Sequence, residues 1–328
     1  MLTLRRGTVT GIEQRHDGLV RLVVEGRACV AYPDLTGPVA VGDDVLVNVQ
    51  ASELGLGTGG FDVLHANLTR GLGLPAEAGA HVMKLPYTPL QHAVLHAEEG
   101  EDEGTGDLAG MPVVCCSLHS QVAPVCAGLG REERVAYVQL PGGALPLPLS
   151  DAVRTLREEG YLATTVAVGP CFGGEVACVS VASALVACAR TGMRAAVCAI
   201  GPGVVGTSSR YGHGGLAAAE AANAASALGG APVLAARVSE ADPRERHRGV
   251  SHHTLAVFAL VQGPLRVAWP EDAEPPAGLA DVERVDVSGW REACAGLPLS
   301  HMGRTADEEP AFFAAAYAAG ALARTLAR

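Results

Sequence analysis

The chain has 328 residues, enough for two domains or for one large α/β domain with an appendage. Its formal net charge of −11 excludes a nucleic-acid binder of the usual kind, which would carry a basic stripe. The opening MLTLRRGTVT lacks the apolar centre of a signal peptide, and the longest weakly polar run, 176–189, is too short to span a bilayer, so a cytoplasmic protein with no membrane role is expected.

Residues 1–70 read as a small β-barrel-like domain of the OB or SH3-like kind. Short apolar and β-branched runs at Thr8–Ile12, Val20–Glu25, Cys29–Tyr32 and Asp44–Val49 are separated by turn signals such as His16-Asp17-Gly18 and Gly42-Asp43. Residues 71–110 read as a linker. Within it, 89–99 fits one amphipathic helix that would place His92 and His96 on one face, and 98–107 fits a solvated acidic loop. Lys84 is the only lysine among 24 basic residues, which singles it out as a ligand-binding candidate.

From Met111 to the end the texture is that of an α/β domain, a mostly parallel sheet flanked by helices. Strands are expected at about 112–117, 134–140, 163–168, 195–200 and 232–237. Helices are expected at about 120–129, 150–159, 175–191 and 215–228, with Ser150 capping the second. Two more strands, 254–262 and 264–269, would form an edge hairpin. A last helix, 306–326, would open with a capping box from Thr305 and Glu308. The nine cysteines include no CxxC pair and read as reduced, buried thiols.

In such a sheet, ligands bind beyond the carboxyl ends of the strands, and the strand-end loops here carry the polar chemistry. The first brings His119 and Gln121, and the third brings Cys171, whose position beside a glycine turn also suits a thiolate nucleophile. The fourth, GPGVVGTSSRYGHGG, brings Gly201, Gly203, Gly206, Arg210 and His213. Its G-x-G-x-x-G spacing admits a backbone anion cradle, an NADP-type dinucleotide turn, or a tightly packed loop. The fifth leads into RVSEADPRERHRGVSHHT, where four arginines, three histidines and three acids fall within Arg237–Thr254. Arg237 and Arg244 are candidates to clamp an anion, Asp242 to orient a histidine, and His247 and His252 to transfer protons. Read as a strand, this segment would send His252 and His253 to opposite faces, so only one could enter a pocket.

The stretches HVMKLPYTPLQ, SLHSQ, GPGVVGTSSRYG, RVSEADPRERHRGVSHHT and SHMGR resemble, in that order, the uncharacterised bacterial domain-of-unknown-function family 3866. The resemblance implies one unit over nearly the whole chain, with Lys84, His119, Arg210 and His252 serving one site. It assigns no activity or cofactor, and its third loop carries histidine where this chain has Cys171.

The leading expectation is an enzyme or sensor for a small anionic ligand. Gly201, Gly203, Gly206, Arg210, Arg237 and Arg244 would hold the anion, and His119, His213, His247 or His252 would move protons. One alternative is a non-enzymatic scaffold or homo-oligomer with the polar cluster as its interface. Another is a metal-dependent hydrolase using His119, His213, Asp242 and His252. The third is the NADP-type binder.

Overall fold

The computed structural model describes residues 2–55, 59–70, 73–74, 77–99, 106–275 and 279–327. The chain divides into two compact units, Met1–Leu95 and His96–Arg328.

The first unit is built on a closed five-stranded barrel of β1 (Leu4–His16), β2 (Leu19–Val24), β3 (Arg27–Ala31), β4 (Asp44–Asn48) and β5 (Asp62–Asn67), in the order β1-β2-β3-β5-β4. Alternate residues such as Val9, Leu22, Val45, Val47 and Leu64 fill its interior. The closing strand β5 was not among the expected runs, because its His65 and Asn67 break the apolar pattern. Two one-turn helices, α1 (Pro33–Thr36) and α2 (Gln50–Glu53), decorate the barrel. Beyond it lies a hairpin of β6 (Val82–Lys84) and β7 (His92–Val94), with Lys84 buried and paired in register with His92. The helix expected over 89–99 is therefore absent, and His92 and His96 are not helical neighbours. Pro89 and the Tyr87–Gln91 turn set up an antiparallel return instead.

The second unit holds an eight-stranded, all-parallel sheet. Its strands are β8 (Pro112–Cys116), β9 (Val135–Leu140), β10 (Thr164–Val168), β11 (Val176–Cys178), β12 (Ala195–Ile200), β13 (Ala231–Ala235), β16 (Arg266–Pro270) and β17 (Val282–Val285). Between β13 and β16 the chain inserts a two-residue ladder of β14 (Val238–Ser239) and β15 (Gly249–Val250). The sheet order is β11-β10-β9-β12-β8-β13-β16-β17. From β8 the chain steps outward through β9 and β10 to β11. It then returns to place β12 between β9 and β8, and continues on the other side through β13 to β17. The reversal of direction beside β8 creates a crevice at the carboxyl edge.

Strand periodicity sorts the core into two faces. Val114, Cys116, Tyr137 and Val197 face α3 (Val122–Leu129), α4 (Asp151–Glu158), α8 (Trp290–Ala293) and α9 (Pro310–Leu326). Val113, Cys115, Val138 and Cys198 face α5 (Val181–Arg190), α6 (Ala217–Ala227) and α7 (His252–Leu260). All nine cysteines are buried, and none is in a disulfide. Burial pushes thiols such as Cys115 up to about 12, so they serve as small core residues. Ser150 caps α4 as expected, its hydroxyl accepting from Val153 N–H.

Two expectations fail at 254–269. The apolar run after Ser251 is helix α7, not a strand, and β16 pairs in parallel with β13 and β17 rather than in a hairpin. Ser251 is an N-cap whose Oγ accepts from His253 N–H, so it starts a helix at the point where strand spacing had been assumed. The Thr305–Glu308 contacts form, but α9 begins only at Pro310.

Helix α9 lies across α3 with backbone nearly touching backbone. A Cβ on Gly320 would fall 1.9 Å from Val125 O, and one on Gly128 would fall 2.3 Å from Tyr317 O. Gly320→Ala must therefore push the helices apart. The expected cost is about 3 kcal/mol, which for a unit of this size lowers the melting temperature by roughly 6–12 °C. Gly289→Ala, where a Cβ meets nothing within 4 Å, is expected to change it little. Equal melting curves for the two variants would show that the crossing is not this close.

Candidate functional site

The site lies at the carboxyl edge of β8, β12 and β13, and it grows from three local structures. The first is the loop after β8. Leu118 N–H donates to Gln121 Oε1 (3.0 Å), and Gln121 Nε2 donates to Ala235 O at the end of β13 (2.8 Å). Gln121 is wholly buried, so it ties two strand ends together rather than facing a ligand. That tie holds His119 over the sheet. Ile200 O can only accept, so His119 Nδ1 carries the proton it donates there (3.2 Å). His119 Nε2 then accepts from the Ser150 hydroxyl (2.7 Å). Burial draws His119 down to about 4, with the Ile200 bond opposing it weakly.

The second is the turn His301–Arg304. His301 and Arg304 exchange backbone hydrogen bonds (both 2.9 Å), with Met302 and Gly303 at φ 52° and 78°. This is a two-residue hairpin turn in which Gly303 supplies a left-handed position. It turns His301 inward against Phe312, with the rings stacked at 3.8 Å, and brings Ser120 Oγ within 3.1 Å of His301 Nδ1. Burial lowers His301 to about 3, and the positive charges of Arg237 and Arg304 add to the effect. Ser150 with His119 and Ser120 with His301 are thus two serine–histidine pairs, and all four residues line one cavity of about 320 Å³. Val204, Ala152 and Pro298 supply apolar wall.

The third is the segment after β13. Asp242 is fully buried. It accepts from Arg244 Nε (2.9 Å) and NH2 (2.8 Å) in a fork, and from Arg237 NH2 (3.4 Å). Arg304 NH2 lies 3.7 Å from the same carboxylate, and Arg304 Nε lies 2.8 Å from buried Glu309. Hydrogen bonds from Arg244 hold the Asp242 carboxyl far below its usual range despite burial. Counted as charges, Arg237, Arg244 and Arg304 exceed Asp242 and Glu309 by one. Arg237 NH1 also donates to His253 Nδ1 (3.1 Å). Around His253 gather His213, stacked at 3.7 Å, with His252 and His247 at 4.5 and 4.9 Å between ring centroids. Burial, reinforced by neighbouring positive charge, lowers all four; His247 falls to about 3.

Of the expected site residues, the structure gathers His213, Arg237, Asp242, Arg244, His247 and His252 into this cluster, and His119 into the cavity. The expectation that only one of His252 and His253 turns inward is corrected. Successive residues of a helix are about 100° apart, against 180° in a strand, so both first-turn imidazoles contact His213. Arg210 stands apart: it is exposed, with its guanidinium over the Tyr211 ring at 5.2 Å. Lys84 belongs to the first unit. Gly201 and Gly206 are accounted for by packing. A Cβ on Gly201 would lie 2.2 Å from Leu145 O, and one on Gly206 would lie 2.8 Å from His213 Cβ. Gly203 O accepts from Ala144 N–H (2.6 Å), and α6 starts only at Ala217, so no helix opens within the glycine motif.

Ser120, Ser150, His301, Arg304 and Glu309 are not among the expected site residues, and His253 stands there only as an alternative to His252. The available signals were Ser251 as a cap, which puts both following histidines on one helix turn, and His301-Met302-Gly303-Arg304 as a hairpin turn.

No curated protein matches the sequence. Among the described residues, no helix is long and apolar enough to cross a membrane. The profile of a family described as a protein of unknown function (DUF3866) matches residues 27–320, a span that takes in β3, β4 and β5 of the barrel and the carboxyl-edge loops of the sheet. The chain therefore belongs to the DUF3866 family.

Proposed function

We propose that this protein is an enzyme or sensor that binds a small polar metabolite bearing a phosphate or carboxylate, in the cavity walled by His119, Ser150, Ser120 and His301. The observation that carries this reading is the cavity itself. It lies at the carboxyl ends of β8 and β12, where an open α/β sheet places ligands, and it is lined by two serine–histidine pairs. A volume of about 320 Å³ suits a metabolite rather than a dinucleotide. Apolar residues form part of the wall, while the Ser120 hydroxyl and the start of α4 supply donors for an acidic group.

The histidines define what chemistry is supported. Raising a proton onto His119, whose value is drawn from 6.5 to about 4, costs roughly 3 kcal/mol more than in water. A Ser150–His119 general-base pair on the serine-protease pattern lacks the carboxylate that would offset this cost. Neutral imidazoles that hold the Ser150 and Ser120 hydroxyls in place beside a ligand fit better. The surplus positive charge among Arg237, Arg244 and Arg304 lies on the same strand edge and favours a ligand of negative charge.

A thermal-shift panel of inorganic phosphate, sugar and nucleoside monophosphates and short carboxylic acids tests this. At about 100 times its Kd a ligand adds about 2.7 kcal/mol, a rise of roughly 5–10 °C. Ala152→Phe, which fills the cavity from α4, is expected to abolish the response. The reading fails if no compound shifts the wild type, or if Ala152→Phe responds equally.

A further inference from the structure

The histidine cluster beyond β13 has a feature that the cavity reading does not use. His213, His252 and His253 each present a ring nitrogen, and these atoms all lie within 4.8 Å of one another. His213 is buried to 6% exposure with no hydrogen bond of good geometry at either ring nitrogen, although the Arg210 backbone approaches it, and His252 Nε2 is also buried without a partner. A buried imidazole ordinarily finds at least one partner, because an unpaired polar atom has lost its water without replacement. Three converging imidazoles, two of them with open nitrogens and the third held only by an arginine N–H, are the donor set of a transition-metal site with room for further ligands.

We propose that His213, His252 and His253 bind one divalent transition-metal ion of the zinc and cobalt class. The local sequence builds this arrangement. Ser251 starts α7 so that His252 and His253 occupy its first turn, and the loop after β12 brings His213 back beneath them, with its ring stacked on His253. His253 contributes through the lone pair of Nδ1, which already faces a cation, Arg237 NH1 at 3.1 Å. On loading, the metal takes the place of that N–H donor, and the guanidinium keeps Asp242 as its counter-ion, 3.4 Å away. No proton has to be gained or lost in this exchange.

The donor set also fixes the class of ion. It contains no carboxylate, because Asp242 is saturated by arginines. Magnesium and calcium, which need oxygen ligands and negative charge, are therefore excluded, and metals that bind imidazole strongly are selected. The competing arrangement is a purely structural one, in which the imidazoles form a stacked cage around the Arg237 guanidinium.

Chelator-stripped full-length protein titrated with Co²⁺ separates the two. The expected result is one ion per chain with visible d–d bands, displaced by Zn²⁺ and not by Mg²⁺ or Ca²⁺. His213→Ala and His252→Ala are each expected to weaken binding by at least about 100-fold, while His119→Ala, on the cavity, binds as wild type. Absence of bands at stoichiometric protein, or unchanged affinity in both His213→Ala and His252→Ala, overturns the site in favour of the cage. The readout is metal binding alone, so it stands or falls separately from ligand binding in the cavity.

Discussion

Asp242→Ala is expected to be among the most destabilising single substitutions in the second unit. It leaves Arg237, which is 2% exposed, without its carboxylate, and frees Arg244 and Arg304 to repel it. Removing one member of a buried ion network costs about 3–5 kcal/mol, because an uncompensated charge remains in a poorly solvated site. Asp242→Asn should be nearly as damaging, since it keeps the volume and removes the charge. The loss is not offset by relief elsewhere: Asp242 also accepts the Arg244 backbone N–H (3.0 Å) that shapes the loop. Urea unfolding of wild type and both variants gives the number directly. A difference below about 1 kcal/mol would mean that the loop from Arg237 to His247 is held by something other than this carboxylate.

Acid should unfold this protein early. His119 and His301 are held at about 4 and about 3, against about 6.5 in an unfolded chain. A depressed base binds its proton more readily when unfolded, so stability rises with pH wherever the unfolded chain carries more protons. The contribution is complete above about pH 6.5 and is lost as pH falls toward 4 and then 3. Each histidine contributes on the order of 2–4 kcal/mol across that window. Asp242 adds a second loss at still lower pH, where its carboxylate finally takes a proton. Unfolding free energies measured at pH 7.5, 6.5, 5.5 and 4.5 should fall steadily below 6.5, and the slope should shrink in His119→Gln. A flat profile between 7 and 5 would show that these imidazoles are solvated and unperturbed.

Much of this architecture is legible in the sequence, for identifiable reasons. The all-parallel sheet announces itself because β8 and β12 are buried on both faces and read as unbroken apolar runs between small-residue helices. The barrel reads from its turns. Where the reading went astray, two local structures compete for one pattern. The run after Ser251 is apolar and short, which suits a buried strand as well as a helix, and only the cap at Ser251 decides for the helix. That one choice made His252 and His253 alternatives, where the helix brings both to His213. Pro89–Glu99 shows the opposite error, where a helical spacing of His92 and His96 is overridden by pairing of β6 with β7.

The candidate site was legible in part because the carboxyl edge of a parallel sheet is set by topology alone. His119, His213, Asp242 and His252 fall there because their loops must. What no spacing could show is how charges are shared. Arg237 and Arg244 look like free anion clamps in sequence, yet Asp242, five and two residues away from them, engages both. Gly201 and Gly206 look like a phosphate cradle, yet they make room for Leu145 and His213. His301 lies 181 residues from its partner Ser120, a separation that only the fold can close.

Occupancy of the carboxyl-edge cavity by a small acidic metabolite is decided by a crystal structure grown with the most stabilising compound of the thermal-shift panel. Ligand density is expected between His119, Ser150, Ser120 and His301, with the acidic group on the Ser120 hydroxyl or the first amides of α4. Density for that compound elsewhere on the protein, with this cavity left to water, would contradict it.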